Sequence, residues 1–288
     1  MRKRFSVFLC LFILYNFINP SYSFDNNYKS FSPSKYSEKD EVVLIRWNSE
    51  EGKSRLISSK YKNDFYQLAN FYQPQINPLY CGIASSVIVL NAMRVPENSV
   101  PSQEPLEIKK PEVWGGDTIP FPSYSQLTLL NEKTDEVKHR KVINLENITK
   151  DNTNDESEFD PGLTLAQLKS LLELYNVDVV LNYADMEGKK SFDNFRNELK
   201  NILSDKDKFV IVNFIGKEVG ASTGGHISPL AAYDQNTDSV LTLDVAGHKN
   251  PWYWVPLTHL YLAMHTKDGK NYRGWLIVSD SKNNNSSK

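Results

Sequence analysis

Asn77-Pro78-Leu79-Tyr80-Cys81-Gly82-Ile83-Ala84-Ser85-Ser86-Val87-Ile88-Val89-Leu90-Asn91-Ala92-Met93 leaves a proline and then runs through small and apolar residues without meeting another. This pattern predicts a buried helix that begins at or near Cys81. A thiol at that position feels the positive end of the helix dipole, which favours the thiolate. Gly82 beside it would let a substrate carbonyl come close. A cysteine ahead of an apolar helix is more often a small buried hydrophobe than a nucleophile, so the reading depends on what the rest of the chain brings to it.

A thiolate nucleophile needs a base, and the base needs an orienting group. The C-terminal half supplies candidates for both. Leu165, Leu168, Leu171, Leu172 and Tyr175 fall at helical spacing, and residues 177–181 are β-branched and strand-like. Phe192, Phe195, Leu199 and Ile202 repeat the helical pattern ahead of a strand over residues 209–215. A hairpin follows, with arms 227–233 and 239–245 around the turn-prone Asp234-Gln235-Asn236-Thr237-Asp238. Centred on Asn236, it sets His226 opposite Ala246 and diagonal to Asp244 on one face. Centred on Gln235, it sets His226 directly opposite Asp244. Either register makes His226 the base and Asp244 its orienting group. Gln75, ahead of Cys81 in the same segment, would add a side-chain amide to the Cys81 backbone N–H as donors to an oxyanion. Singly these residues have plainer roles, such as His226 shaping a turn after Gly224-Gly225 or Asp244 satisfying backbone groups. Their combination is what points to nucleophilic catalysis.

The chain has 288 residues, 40% of them hydrophobic, which is ample for a buried core and excludes disordered and collagen-like classes. Lys plus Arg is 33 against 35 Asp plus Glu, so nothing electrostatic argues for a nucleic-acid partner. Two cysteines, Cys10 and Cys81, make neither a disulfide framework nor a thiolate zinc site. His139, His248, His259 and His265 lack metal-ligand spacing. No metal site is expected. Met1-Arg2-Lys3-Arg4, an apolar run to Ile18 and small residues up to Ser23 have the order of a secretory signal. The run is shorter than the ~20 residues of a spanning helix. Residues 1–23 are therefore expected to be removed with Cys10, leaving a protein exported to the periplasm or medium without a stable membrane anchor. Residues 24–40 read as a flexible leader, 41–279 as the catalytic domain and 280–288 as a flexible tail. Between residues 103 and 160, Pro105, Pro111, Pro120, Pro122 and the acidic, polar stretch 151–156 predict long connections rather than regular elements.

Three blocks, in order, carry a resemblance. Gln75-x-x-Pro78-x-Tyr80-Cys81-Gly82-x-Ala84-Ser85 with Val89-Leu90-Asn91-Ala92 closely resembles the nucleophile segment of the phytochelatin synthase family. Thr223-Gly224-Gly225-His226-Ile227-Ser228-Pro229-Leu230 resembles its histidine segment, and Leu243-Asp244-Val245-Ala246 with Trp254-Val255-Pro256-Leu257 its aspartate segment. The resemblance implies an α+β, papain-like cysteine-peptidase fold, with a helical lobe carrying Cys81 and an antiparallel sheet lobe carrying His226 and Asp244. It implies glutathione as substrate, attacked at its Cys-Gly bond to give a γ-glutamylcysteinyl thioester on Cys81. A second glutathione would then take the acyl group to give phytochelatin, or water would take it to give γ-glutamylcysteine.

On the same resemblance, Arg273 in Arg273-Gly274-Trp275 matches the segment that holds a γ-glutamyl carboxylate, Asp268 lies near the acidic partner of the γ-glutamyl amine, and Gly82 and Gly225 border the substrate. No cofactor is required; cadmium or zinc would enter as a glutathione thiolate complex. A homodimer is left open. One position departs from the family: Gly247 stands where an Arg is usual, which bears on the second-substrate site and on metal-activated transfer. The cysteine-rich C-terminal extension of plant-type members is absent, as in short bacterial members, which lean towards hydrolysis. A papain-like peptidase acting on other peptides and a non-catalytic binding module are the competing readings.

Overall fold

A helix that is apolar on every side has to be buried on every side, and the helix that starts at Cys81 is. The computed structural model describes residues 42–100, 106–146, 162–185 and 192–281. The segments read above as export signal and leader, the acidic stretch 151–156 and the tail beyond Ser281 lie outside the described residues. After β1 (Ile45–Arg46), α1 (Glu50–Ser58) and α2 (Asn63–Asn70) comes α3 (Cys81–Arg94), in which Gly82 to Ala92 are all buried. Ser85 Oγ donates to Cys81 O at 2.7 Å and Ser86 Oγ to Gly82 O at 2.9 Å, so both hydroxyls enter the core satisfied. A Cβ on Gly82 would meet Leu163, Leu168 and Ile227 at 3.3 to 3.4 Å. Its smallness therefore serves core packing, and the side assigned above to a substrate carbonyl is filled by aliphatic groups.

The helix-then-strand pairs form close to their expected bounds: α5 (Leu165–Glu173) with β4 (Val177–Tyr183), and α6 (Phe192–Ile202) with β5 (Lys208–Ile215). Thr164 and Gln167 close a capping box at the start of α5. β6 (Gly225–Asp234), β7 (Ser239–Thr242), β8 (Tyr253–Pro256) and β11 (Gly274–Asp280) complete a seven-stranded sheet in the order β1-β8-β7-β6-β5-β11-β4. Every neighbouring pair in it is antiparallel. Helices α3 and α5 pack on one face and α6 and α7 (Leu257–Met264) on the other, which is why β5 is buried on both. The fold class is α+β with an antiparallel sheet.

Two expectations need correction. Residues 103–160 are not connections throughout: β2 (Leu106–Lys109) pairs with β3 (Thr118–Phe121). Pro120 is tolerated because each strand of a two-stranded ribbon has a free edge that needs no donor. The tail was expected from residue 280, but Asp280 closes β11, opposite Val177. Its carboxylate lies 3.4 Å from Arg94 Nε, tying the end of α3 to the last strand. No helix among the described residues is long and apolar enough to cross a membrane.

Candidate active site

Strand β6 begins one residue before His226, and its pairing with β7 sets where Asp244 falls. Near the turn the register runs Asp234↔Ser239, Tyr233↔Val240 and Ala232↔Leu241, then a bulge moves it to Leu230↔Thr242. On the site side of the bulge the hairpin is thus centred on Asn236, the register that makes His226 and Asp244 diagonal neighbours. Strand β7 stops at Thr242, earlier than the expected arm, and Asp244 stands in the segment beyond.

His226 Nε2 lies 2.7 Å from Asp244 Oδ1, with both side chains buried. Ser228 Oγ is 3.1 Å from the same nitrogen. With Nε2 committed there, the other side of the ring is left for Cys81, which acts on His226 through a hydrogen bond and through charge. Burial opposes the imidazolium, but the hydrogen bonds and charges of Asp244 and Cys81 outweigh it and raise the His226 pKa from 6.5 to about 9. Cys81 is the free, partly exposed cysteine among the described residues. The Asp244 carboxylate also accepts from Ala246 N at 2.8 Å and from Asn250 Nδ2 at 2.9 Å. Asn250 Oδ1 in turn accepts from Ser222 N at 3.0 Å, linking the Asp244 segment to the segment that enters β6.

Gln75 reaches the same region with its amide already engaged. Its Nε2 donates to Asn77 O at 2.9 Å and to Pro78 O at 3.0 Å, bracing the turn into α3. Its Oε1 is buried without a partner. Both amide hydrogens being spent, the donor left for an oxyanion is the backbone N–H of Cys81 at the first position of α3, whose N-cap residue Tyr80 offers no side-chain cap.

On the other side of His226, the residues assigned to the γ-glutamyl group do come together. Arg273 Nη1 is 3.2 Å from Asp268 Oδ2, and Asn213 on β5 bridges them, accepting from Arg273 at 2.7 Å and donating to Asp268 at 2.9 Å. A Cβ on Gly225 would meet the Arg273 guanidinium at 3.2 Å. Glycine there lets that group lie close against the start of β6; a side chain would require the guanidinium to shift by a few tenths of an ångström. Asp268 sits in β9 (Lys267–Asp268), which pairs with β10 (Asn271–Tyr272) just ahead of Arg273. Asn213, Ser228 and Asn250 were not singled out from the sequence; isolated amides and hydroxyls in strands and loops carry no periodic signal, and only the pairing of β5 with β6 and the loop after β7 reveals them. Among the described residues, no group of three His, Cys, Asp or Glu that could hold a metal stands together.

Comparison with known proteins decides the family. The phytochelatin synthase family model matches residues 38–111 and 119–275. The chain belongs to the phytochelatin synthase family. Its curated relatives include glutathione gamma-glutamylcysteinyltransferase 3 of Lotus japonicus, 27% identical over 83% of this chain and 43% of that protein. Glutathione gamma-glutamylcysteinyltransferase 1 of Arabidopsis thaliana is 25% identical over 82% of this chain and 41% of its own length. The glutathione gamma-glutamylcysteinyltransferase of Schizosaccharomyces pombe is 24% identical over 78% and 45%. This phytochelatin synthase homologue spans less than half the length of each of these relatives, and the residues that the family model matches include all three motif blocks.

Proposed function

We propose that the protein is a papain-like γ-glutamylcysteinyl transferase acting on glutathione, with Cys81 as nucleophile, His226 as acid and base and Asp244 as orienting group. The observation that carries this reading is the buried 2.7 Å His226–Asp244 contact beside Cys81 at the start of α3. The Cys81 sulfur attacks the carbonyl of the Cys-Gly bond, and the resulting oxyanion is met by the Cys81 N–H. His226, held protonated by Asp244, gives its proton to the departing glycine amine, leaving the acyl group on sulfur as a thioester. The neutral imidazole then takes a proton from the incoming glutathione or water.

The γ-glutamyl end of glutathione carries a carboxylate and an ammonium on one carbon. The Arg273–Asp268 pair, locked by Asn213, offers one charge of each sign to them. Thiophilic metal, where it takes part, arrives on the substrate as a glutathione thiolate complex. Export through residues 1–23 belongs to the same proposal.

Incubation with glutathione is expected to release glycine and yield γ-glutamylcysteine or, with cadmium, longer γ-glutamylcysteine chains readable by mass spectrometry. Cys81→Ala and His226→Ala should each abolish glycine release. Glycine release that survives either substitution refutes the assignment.

A further inference from the structure

A carboxylate has two oxygens, and an imidazole needs only one of them. What the second oxygen does decides how firmly the pair is held and how much charge the ring meets. Asp244 spends Oδ1 on His226 Nε2 at 2.7 Å and on Ala246 N at 2.8 Å. Its Oδ2 accepts from Asn250 Nδ2 at 2.9 Å. Asp244 is fully buried and Asn250 is 6% exposed, so this bond is made in a low-dielectric interior, where it is strong.

Asn250 is itself held from both sides. Its backbone N–H donates to Ala246 O at 3.0 Å, which fixes the turn after Asp244. Its Oδ1 accepts from Ser222 N at 3.0 Å. The partners leave the carboxamide one orientation, because the Ser222 N–H has to meet oxygen and the carboxylate has to meet nitrogen. Ser222 enters the segment that becomes β6 at Gly225 and delivers His226 one residue later. The contacts therefore close a ring: Asn250 to Asp244, Asp244 to His226, and His226 back through residues 222–225 to Asn250.

The other groups around the pair do not close such a ring. Tyr72, which follows α2, donates to the main-chain carbonyl of Asp244 at 2.7 Å and not to its carboxylate. Burial, and after it the Asp244 charge, raise the Tyr253 phenol on β8 well above 10, so it stays neutral; its Oη is not in hydrogen-bonding geometry with any partner. Cys81 on α3 faces the ring of His226, not the carboxylate.

Resting on the catalytic trio proposed above, we infer that Asn250 is a positioning residue acting through Asp244: its carboxamide keeps the carboxylate turned to His226 and, by drawing charge to Oδ2, limits how tightly the imidazolium proton is held. A carboxylate stripped of that donor is a stronger base towards its remaining partners. It is also freer to turn away from the ring.

Asn250→Leu keeps the volume and removes both halves of the amide. Its kcat for glycine release is expected to fall about tenfold with KM for glutathione little changed. The alkaline limb of kcat/KM should rise from about pH 9 by about one unit, the worth of one hydrogen bond to a charged group. The step in iodoacetamide alkylation of Cys81 that accompanies loss of the His226 proton should move with it, which reads the pair without glutathione. Asn250→Asp keeps the shape and the acceptor for Ser222 N, and it shares a proton with Asp244 because two carboxylates so close do not both ionise. Its rate relative to the parent enzyme should be near one at about pH 5 and fall about tenfold by about pH 8 as that proton leaves. Should Asn250→Leu not fold, Asn250→Asp decides alone. A limb and an alkylation step both unmoved in Asn250→Leu, a loss confined to KM, or an Asn250→Asp rate ratio independent of pH overturns this inference. A shifted alkylation step in an enzyme that releases no glycine leaves Asn250 acting on the pair and overturns the proposed function instead.

Discussion

His226 is where two opposing effects set the chemistry. Burial alone would keep the imidazole neutral, yet the hydrogen bond and charge of Asp244, helped by Cys81, lift its pKa to about 9. A folded-state value above the ordinary 6.5 means that the stabilisation from this pairing is fully present below about pH 6.5 and is lost as pH rises through about 9. On the proposed function, the proton meant for the departing glycine amine is lost over the same window. Asp244→Asn removes the charge and the strong acceptor, so the alkaline limb of kcat/KM for glycine release should move towards acid from about pH 9, as a pH–rate profile would show. An unmoved limb would mean that another group supplies the proton. At Arg273 the planar guanidinium fits between Gly225 and Asn213. Arg273→Lys keeps the charge but loses the forked geometry, and KM for glutathione is expected to rise about tenfold with kcat less affected, the loss of one charge-assisted contact. An equal fall in kcat with KM unchanged would argue against a role in holding the ground-state substrate.

Among the elements, α2 carries a cost the site does not explain. Asp64 in its first turn is buried and both carboxylate oxygens lack a partner. A helix N-terminus favours the anion, but burial, followed by repulsion from Asp205, pushes the Asp64 pKa well above 3.8. The sign is therefore the same as that of His226, although the cause differs: burial itself raises the carboxyl. The folded state binds the proton more tightly than the unfolded chain, so stability is complete below about pH 3.8 and falls as pH rises, by up to about 1.4 kcal/mol per pH unit in the affected window. Asp64→Asn should raise Tm at pH 8 and leave it nearly unchanged at pH 4, measured by calorimetry; the same Tm change at both pH values would contradict the account. Elements were also the scale at which the sequence read best. The bounds of α3, α5, β4, α6 and β5 followed from periodicity and β-branching, because burial on one face or on all faces leaves a local trace. The early end of β7 and the bulge before Ala232 left none, since both depend on pairing between distant residues. The β2–β3 ribbon was hidden by Pro120, a residue that rules out central strands and not edges.

At the scale of the whole molecule, the sheet and the helix α3 packed on it bring Cys81, His226 and Asp244 together, and the sheet order sets Arg273 at the start of the strand two places from β6. Cys81, His226 and Asp244 were legible as candidates because thiol, imidazole and carboxylate each announce a chemistry at recognisable spacing. Asn213 and Asn250 were not, because their value lies in whom they bridge. Gln75 shows the limit from the other side: its position was foreseen, but its amide hydrogens went to the carbonyls of Asn77 and Pro78. The account as a whole requires that Cys81 carry the acyl group between substrates. Acid-quenched enzyme taken from a reaction with glutathione, digested and sequenced by mass spectrometry, should show one γ-glutamylcysteinyl group attached through sulfur at Cys81, and none in the Cys81→Ala protein. Glycine release with Cys81 unmodified at every quench time, or the same adduct on another residue, would contradict it.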